Sequence, residues 1–176
     1  QCLESVAESV GTWEQGSVET FVVDNASSDG SAAMVRERFP WVHLIENREN
    51  VGFARANNQA LQQASGRYAV LLNSDTQVLP GALQTLLDFM DAHPRAGACG
   101  PLLLNADGSL QASCHPVLTA GREFWRLCFL EKLWPRATYP QHRWSRKTSH
   151  PVEVIKGACL VLRQEALAEV GLLDER

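Results

Sequence analysis

The run Tyr68–Leu72 is apolar and stops abruptly at Asn73-Ser74-Asp75, with Thr76 and Pro80 shortly after. An amide, a hydroxyl and one carboxylate on a short turn are the oxygen donors that suit Mg²⁺ or Mn²⁺. Such ions keep several waters and are held by one or two carboxylates together with substrate phosphates. Similar clusters recur. The apolar stretch ending at Val23 runs into Asp24-Asn25, and Asn47 and Asn50 lie just past the run Trp41–Ile45. Asp24 is placed to accept hydrogen bonds from a base or ribose. Taken singly, each cluster is the ordinary composition of a turn or a helix cap. Three of them at the carboxyl ends of strands line one rim, where open α/β sheets bind their ligands. The residues alone therefore point to a metal-assisted nucleotide or phosphate site.

The elements that must position these groups alternate regularly. Leu3, Val6, Ala7 and Val10 share one face of a first helix. A strand follows to Val23, and "ASSDGS" then supplies an N-cap at Asp29 or Ser31 for a helix burying Met34, Val35 and Phe39. "WVHLIEN" reads as a second strand, and "ENVGFARANNQALQQASG" as a loop and helix closed by Gly66 as its C′ residue. After the third strand, Pro80 sits near the first turn of a helix with Leu83, Leu86, Leu87 and Met90 at i, i+3, i+4 and i+7. Asp107-Gly108 marks a hairpin, and "VEVIKGACLVLRQEALAEVG" returns to strand, turn, strand and helix. The fold class expected is α/β with a mostly parallel (mixed) sheet between helices. Residues 115–152, rich in Trp, Arg, His and Pro, read as a partly helical, partly irregular insertion. Its histidines His115, His142 and His150 either line an acceptor groove or pack the insertion onto the domain, and packing is the commoner use.

Bulk properties narrow the function classes. A length of 176 residues suits one domain with a sizeable core. The net charge of −4 disfavours a nucleic-acid binder working through a broad basic surface. Five dispersed cysteines with no CxxC pair argue against a zinc site or a disulfide scaffold and point to a reducing, cytoplasmic setting. No apolar run approaches the roughly 18–20 residues of a membrane span. GxGxxG, GxxxxGK[ST] and GxSxG are all absent, which removes the dinucleotide fingerprint, the P-loop and the hydrolase elbow.

Five segments in order, "VVDNASSDGS", "ENVGFARANNQAL", "GRYAVLLNSDTQVLPGAL", "GPLLLNADGSLQ" and "KGACLVLRQEALAEVGLLDE", resemble the family 2 glycosyltransferases, especially the bacterial rhamnosyltransferase-like branch that builds surface polysaccharides. The resemblance spans Cys2 to Arg176. It implies the GT-A fold, a three-layer α/β/α sandwich with a Rossmann-like nucleotide-binding half. It also implies a nucleotide-diphosphate-sugar donor, Mg²⁺ or Mn²⁺, and inversion at the anomeric carbon. The donor would be a UDP- or dTDP-sugar, dTDP-rhamnose among them, and the acceptor a glycan or a lipid-linked glycan.

By position, the resemblance places Asp24 and Asn25 at the nucleotide base and Asn50 and Gly52 in the nucleotide-side loop, with Asn57 and Asn58 in the helix behind. Asn73-Ser74-Asp75 stands at the DxD metal motif with Asn for the first Asp, so Asp75 carries the metal and Asn73 assists without charge. Lys156, Gly157 and Ala158 fall on the sugar and acceptor side. A solvated lysine and a tight glycine turn are the plain alternatives for the first two. The family's general base is expected beyond Arg176, with Asp174 a weak candidate. The chain is read as one GT-A domain lacking pieces at both ends, residues 1–101 nucleotide-sugar-binding and 102–176 acceptor-side. On that reading the isolated chain is inactive, and peripheral membrane association would run through the absent parts. A sugar nucleotidyltransferase and a non-catalytic nucleotide- or carbohydrate-binding module are the competing functions.

Overall fold

The structure, a computed structural model, describes residues 1–11, 13–14, 16–128, 139–145 and 148–176. Helix α1 (Cys2–Val10) is followed by β1 (Phe21–Asp24), α2 (Ser31–Arg38), β2 (His43–Glu46), α3 (Phe53–Leu61), β3 (Tyr68–Leu72) and α4 (Ala82–Ala92). Short strands β4 (Ala98–Cys99), β5 (Leu103–Leu104), β6 (Leu110–Gln111) and β7 (Cys114–His115) precede α5 (Ala120–Leu127) and a 3-10 turn at Gln141–Arg143. Strands β8 (Val154–Ile155) and β9 (Cys159–Arg163) and helix α6 (Gln164–Val170) complete it. The α/β expectation holds, with parallel and antiparallel pairings distributed over separate small sheets among the described residues. Strands β1 and β2 pair in parallel, whereas β9 lies antiparallel between β3 and β4.

Strand β9 separates two helix layers by simple alternation. Leu160 and Leu162 face a cluster of Leu61 from α3, Ala69 and Leu71 from β3, and Leu167 from α6. Val161, fully buried, faces Met90 of α4 and Cys99 of β4 on the opposite side. Helix α1 is seated separately, with Val6 against Val78 and Leu83. Buried Ser5 accepts the main-chain N–H of Val78 at 3.0 Å, which ties α1 to the segment following Asp75.

Several local expectations change. The residue before α2 is Gly30, in the left-handed region at φ 86°, although Asp29 still accepts the Ser31 N–H at 3.0 Å. Met34 is exposed, because only Val35 and Phe39 turn inward on so short a helix. Helix α3 ends at Leu61, its last buried anchor, and Gln63 already bonds back three residues to Ala60, so Gly66 lies beyond the cap. Pro80 lies near the first turn of α4 as expected, one residue before its left-handed N-cap Gly81. The hairpin at Asp107-Gly108 forms as expected, with Gly108 at φ 78° and Ser109 N–H on the Asp107 carboxylate at 2.9 Å. In the insertion, His150 stacks on Trp144 at 4.3 Å and Trp144 meets Tyr139, so packing is the use seen there. Residues 129–138, 146 and 147 of the insertion lie outside the described residues.

Candidate functional site

Two polar assemblies form at the carboxyl ends of the strands. The first is a web of amides. Asn25, just past β1, donates from Nδ2 to Asn50 Oδ1 at 2.7 Å, and its own Oδ1 accepts Val51 N–H at 3.0 Å. Asn50 Oδ1 also takes Gly52 N–H at 3.0 Å, and Asn47 Nδ2 reaches Asn25 Oδ1 at 3.3 Å. Gly52 sits at φ 84°, a conformation a side chain would strain, so a glycine is needed where the loop turns into α3. Asp24 Oδ2 accepts Ser27 N–H at 3.1 Å across a turn in which Ala26 holds φ 66°. A non-glycine residue in that region stores of order 1 kcal/mol, a cost typical of a constrained turn at a site rim. Of the five expected nucleotide-binding residues, Asn25, Asn50 and Gly52 share one network, Asp24 stands beside it, and Asn73 belongs to the second assembly.

The second assembly continues the β3–β9 ladder. Asn73 N–H donates to Ala158 O at 3.0 Å, while Asn73 O receives Thr76 Oγ1 at 2.6 Å and Thr76 N–H at 3.1 Å. The backbone is thereby closed into a turn that leaves the side chains of Asn73 and Asp75 free of partners among the described residues. Asp75 is exposed, accepts no hydrogen bond and forms no ion pair there. No group of three or more His, Cys, Asp or Glu able to hold a metal occurs among the described residues. A lone open carboxylate fits a cation that takes most of its ligands from phosphate and water, and does not fit an all-protein metal cage. Lys156 is exposed, with its N–H on Ser113 O at 2.8 Å.

Phe53 brings the two assemblies together. It is the first residue of α3, 57% exposed, and its ring lies 3.6 Å from where a Gly157 side chain would begin. The Asn50–Gly52 loop and the Lys156-Gly157-Ala158 turn therefore face each other across one aromatic ring. Asp174 stands apart: its carboxylate pairs with Arg176 at 3.0 and 3.1 Å, which holds it below the usual carboxylate range. That direction is opposite to what a general base working near neutrality needs. The sequence reading missed Gln59, which exchanges two amide bonds with Asn47, and Phe53; Asn58, expected in the helix behind the nucleotide-side loop, binds the Leu173–Glu175 turn. Only the unusual density of amides in "ANNQ" hinted at Gln59.

The chain is 31% identical to the N-acetylglucosaminyl-diphospho-decaprenol L-rhamnosyltransferase of Mycobacterium tuberculosis, an alignment covering 99% of this chain and 61% of that protein. It is 36% identical over 41% of its length to the putative teichuronic acid biosynthesis glycosyltransferase TuaG of Bacillus subtilis, covering 30% of that protein. The chain thus spans about three fifths of the rhamnosyltransferase it matches. Among solved structures, it superposes on the mannosyltransferase PcManGT from Pyrobaculum calidifontis, in complex with GDP-Man and Mn²⁺, with a TM-score of 0.61 at 23% identity. That match covers 98% of this chain and 42% of the other. S. aureus TarS 1-349 in complex with UDP gives 0.62 at 18% identity, over 99% of this chain and 45% of that one. These likenesses establish the GT-A-type α/β fold. The model of the family described as glycosyl transferase family 2 matches residues 1–171, nearly the whole sequence, and the chain belongs to that family.

Proposed function

We propose that this chain is the donor-binding part of an inverting glycosyltransferase. It transfers a sugar from a UDP- or dTDP-sugar, dTDP-rhamnose being the leading candidate, to a glycan or lipid-linked acceptor in bacterial surface polysaccharide synthesis. Family membership and a rhamnosyltransferase relative acting on a diphospho-decaprenol acceptor support the reaction class. The observation that carries the site is the exposed Asp75 carboxylate, with no hydrogen bond or ion pair among the described residues, on a turn pinned by the Asn73–Ala158 bond.

Asp75 would hold Mg²⁺ or Mn²⁺ with the donor's diphosphate, and Asn73 would offer a neutral amide beside it. A bound divalent cation neutralises charge on the departing nucleoside diphosphate. Asn25, Asn50 and Gly52 shape the loop against the nucleotide, with Asp24 accepting from the base or ribose. Lys156, Gly157 and Ala158 border the transferred sugar. The acceptor hydroxyl must lose its proton to a base within hydrogen-bond reach, and the Arg176 pairing disfavours Asp174 in that role. Peripheral contact with a membrane follows from the lipid-linked acceptor alone; no described helix is long and apolar enough to cross one.

Calorimetry with UDP and dTDP, with and without MnCl₂ or MgCl₂, tests the reading. Binding that requires the cation and disappears in Asp75→Ala supports it. Cation-independent binding, unchanged in that variant, overturns it and points to a non-catalytic module.

A further inference from the structure

Phe53 is a large aromatic side chain that the core does not use. Helix α3 is anchored by Ala56 and Leu61, whereas Phe53, its first residue, is 57% exposed. Its main chain is nonetheless fixed on both sides. Asn50 Oδ1 holds Gly52 N–H at 3.0 Å just before it, and Asn57 Nδ2 donates to Phe53 O at 2.8 Å from the next turn. An apolar ring held in the open between two polar assemblies gains most from a ligand that covers it.

Gly157 supplies a second observation. Its backbone lies outside the left-handed region, so conformation does not call for glycine there. Packing does not call for it either. A Cβ would stand 3.6 Å from Phe53 Cζ, ordinary van der Waals contact, and within 4 Å of no other described residue beyond its chain neighbours. What the missing side chain leaves is a clear ring tip. It lies next to Ala158, whose carbonyl holds the Asn73 turn.

The chemistry of the ring narrows what lies on it. A phenyl group has neither charge nor donor for a diphosphate, and its electron-rich face attracts C–H groups. In a nucleotide-sugar, the pyranose is the part that offers a face of C–H bonds, and it follows the diphosphate assigned to the Asp75 turn. We propose that Phe53 seats the C–H face of the transferred sugar and that Gly157 keeps the ring tip clear for it. This inference rests on the transferase reading above. A nucleobase stacks on the same kind of face, so the test separates the two.

The test uses the full-length protein and compares Phe53→Ala, Phe53→Tyr and Gly157→Ala, each checked by thermal melting. With MnCl₂ or MgCl₂ present, calorimetry gives Kd for free UDP or dTDP and for dTDP-rhamnose, or whichever UDP- or dTDP-sugar the wild type binds. Phe53→Ala should weaken the nucleotide-sugar about tenfold, the scale of one lost aromatic contact, and leave the free nucleotide within about twofold. Phe53→Tyr, which keeps the ring, should stay close to wild type. Gly157→Ala should melt as the wild type does and weaken only the nucleotide-sugar. Unchanged nucleotide-sugar affinity in Phe53→Ala overturns the proposal. An equal loss for the free nucleotide also overturns it, because the base would then be the group on the ring. Wild-type nucleotide-sugar affinity in Gly157→Ala overturns the part given to Gly157. If Phe53→Ala does not fold, Gly157→Ala decides alone. A wild type that binds neither ligand counts against the transferase reading instead.

Discussion

The main-chain N–H of Asn73 donates to Ala158 O at 3.0 Å, so the turn bearing Asp75 and the turn bearing Lys156 are one rigid extension of the β3–β9 pair. Residues 85 apart in sequence are held by the ladder of Leu72 and Cys159 immediately below them. A side chain on either turn can change without moving the other, provided the backbone bond survives.

Asn73→Asp is such a change. The Asn73 side chain has no partner among the described residues, and its replacement adds a carboxylate two positions from Asp75. With UDP present, Mn²⁺ should bind about tenfold more tightly, roughly 1.4 kcal/mol, as read by titrating MnCl₂ calorimetrically. Affinity unchanged or weakened would mean that this side chain does not face the cation.

Asn25→Ala removes the hub of the amide web. Asn50 Oδ1 and Val51 N–H both lose a partner, and a partly buried main-chain donor left unpaired costs about 1–3 kcal/mol. Exchange at the Val51 amide should accelerate, and UDP or dTDP affinity should fall by about fivefold to a hundredfold on the same energy scale. Exchange at Leu71, on the far ladder, should not change.

Gly100 is required by packing. A Cβ there would lie 2.6 Å from Ile155 Cγ2 and 3.3 Å from Cys159 O, and a β-branched neighbour cannot swing aside. Gly100→Ala should cost about 1–3 kcal/mol, a fall in Tm of roughly 3–10 °C for a domain of this size. Adding Ile155→Ala should cost less than the two single changes together, a coupling that a thermal-melt double-mutant cycle detects.

What could be read from the chain and what could not divide along sequence distance. The ends of β1, β2 and β3 were legible because each apolar run stops at Asp or Asn, and the Asp107-Gly108 hairpin because its turn chemistry is local. The place of β9 between β3 and β4 was not, since alternation of Leu160, Val161 and Leu162 shows a two-sided strand without naming its neighbours. Gly66 misled for a related reason: α3 stops where its last buried residue, Leu61, stops, and a glycine five positions later is only part of the connection. In the site, types and positions of Asp24, Asn25, Asn50 and Asp75 were readable. The Asn58 bond to Glu175 spans 117 residues and leaves no local trace.

Helix α5 is secured at acid-sensitive contacts. Arg122 donates to Glu153 at 2.7 and 3.3 Å, Val117 N–H donates to the same carboxylate at 2.6 Å, and the guanidinium first of all holds Glu153 below the usual carboxylate range. A depressed folded value means the contact contributes above the ordinary carboxylate pKa and is lost as pH falls through the lowered one. The Val117 amide resonance should therefore shift only in that acidic window, below the ordinary carboxylate range, and Glu153→Gln should abolish the transition.

The five thiols should separate sharply by reactivity. All are free; Cys128 is exposed at the end of α5, while Cys99, Cys114 and Cys159 are buried. Burial pushes the Cys159 thiol up to about 11, with Cys99 and Cys2 adding to the rise. The thiolate is the nucleophile, so at pH 8 a group of that pKa presents about one part in a thousand in reactive form, before access is considered. Iodoacetamide at pH 8 followed by peptide mass spectrometry should modify Cys128 first and Cys159 last. Because Cys159 pairs with Leu72 in the ladder directly below the Asn73–Ala158 bond, its protection also reports on the candidate metal turn. A nucleotide and cation that bind at Asp75 should slow Cys159 labelling further and leave Cys128 unchanged. Labelling of Cys159 as fast as Cys128 would mean that β3 and β9 open at this end, and the turn could not be the rigid mount the site requires.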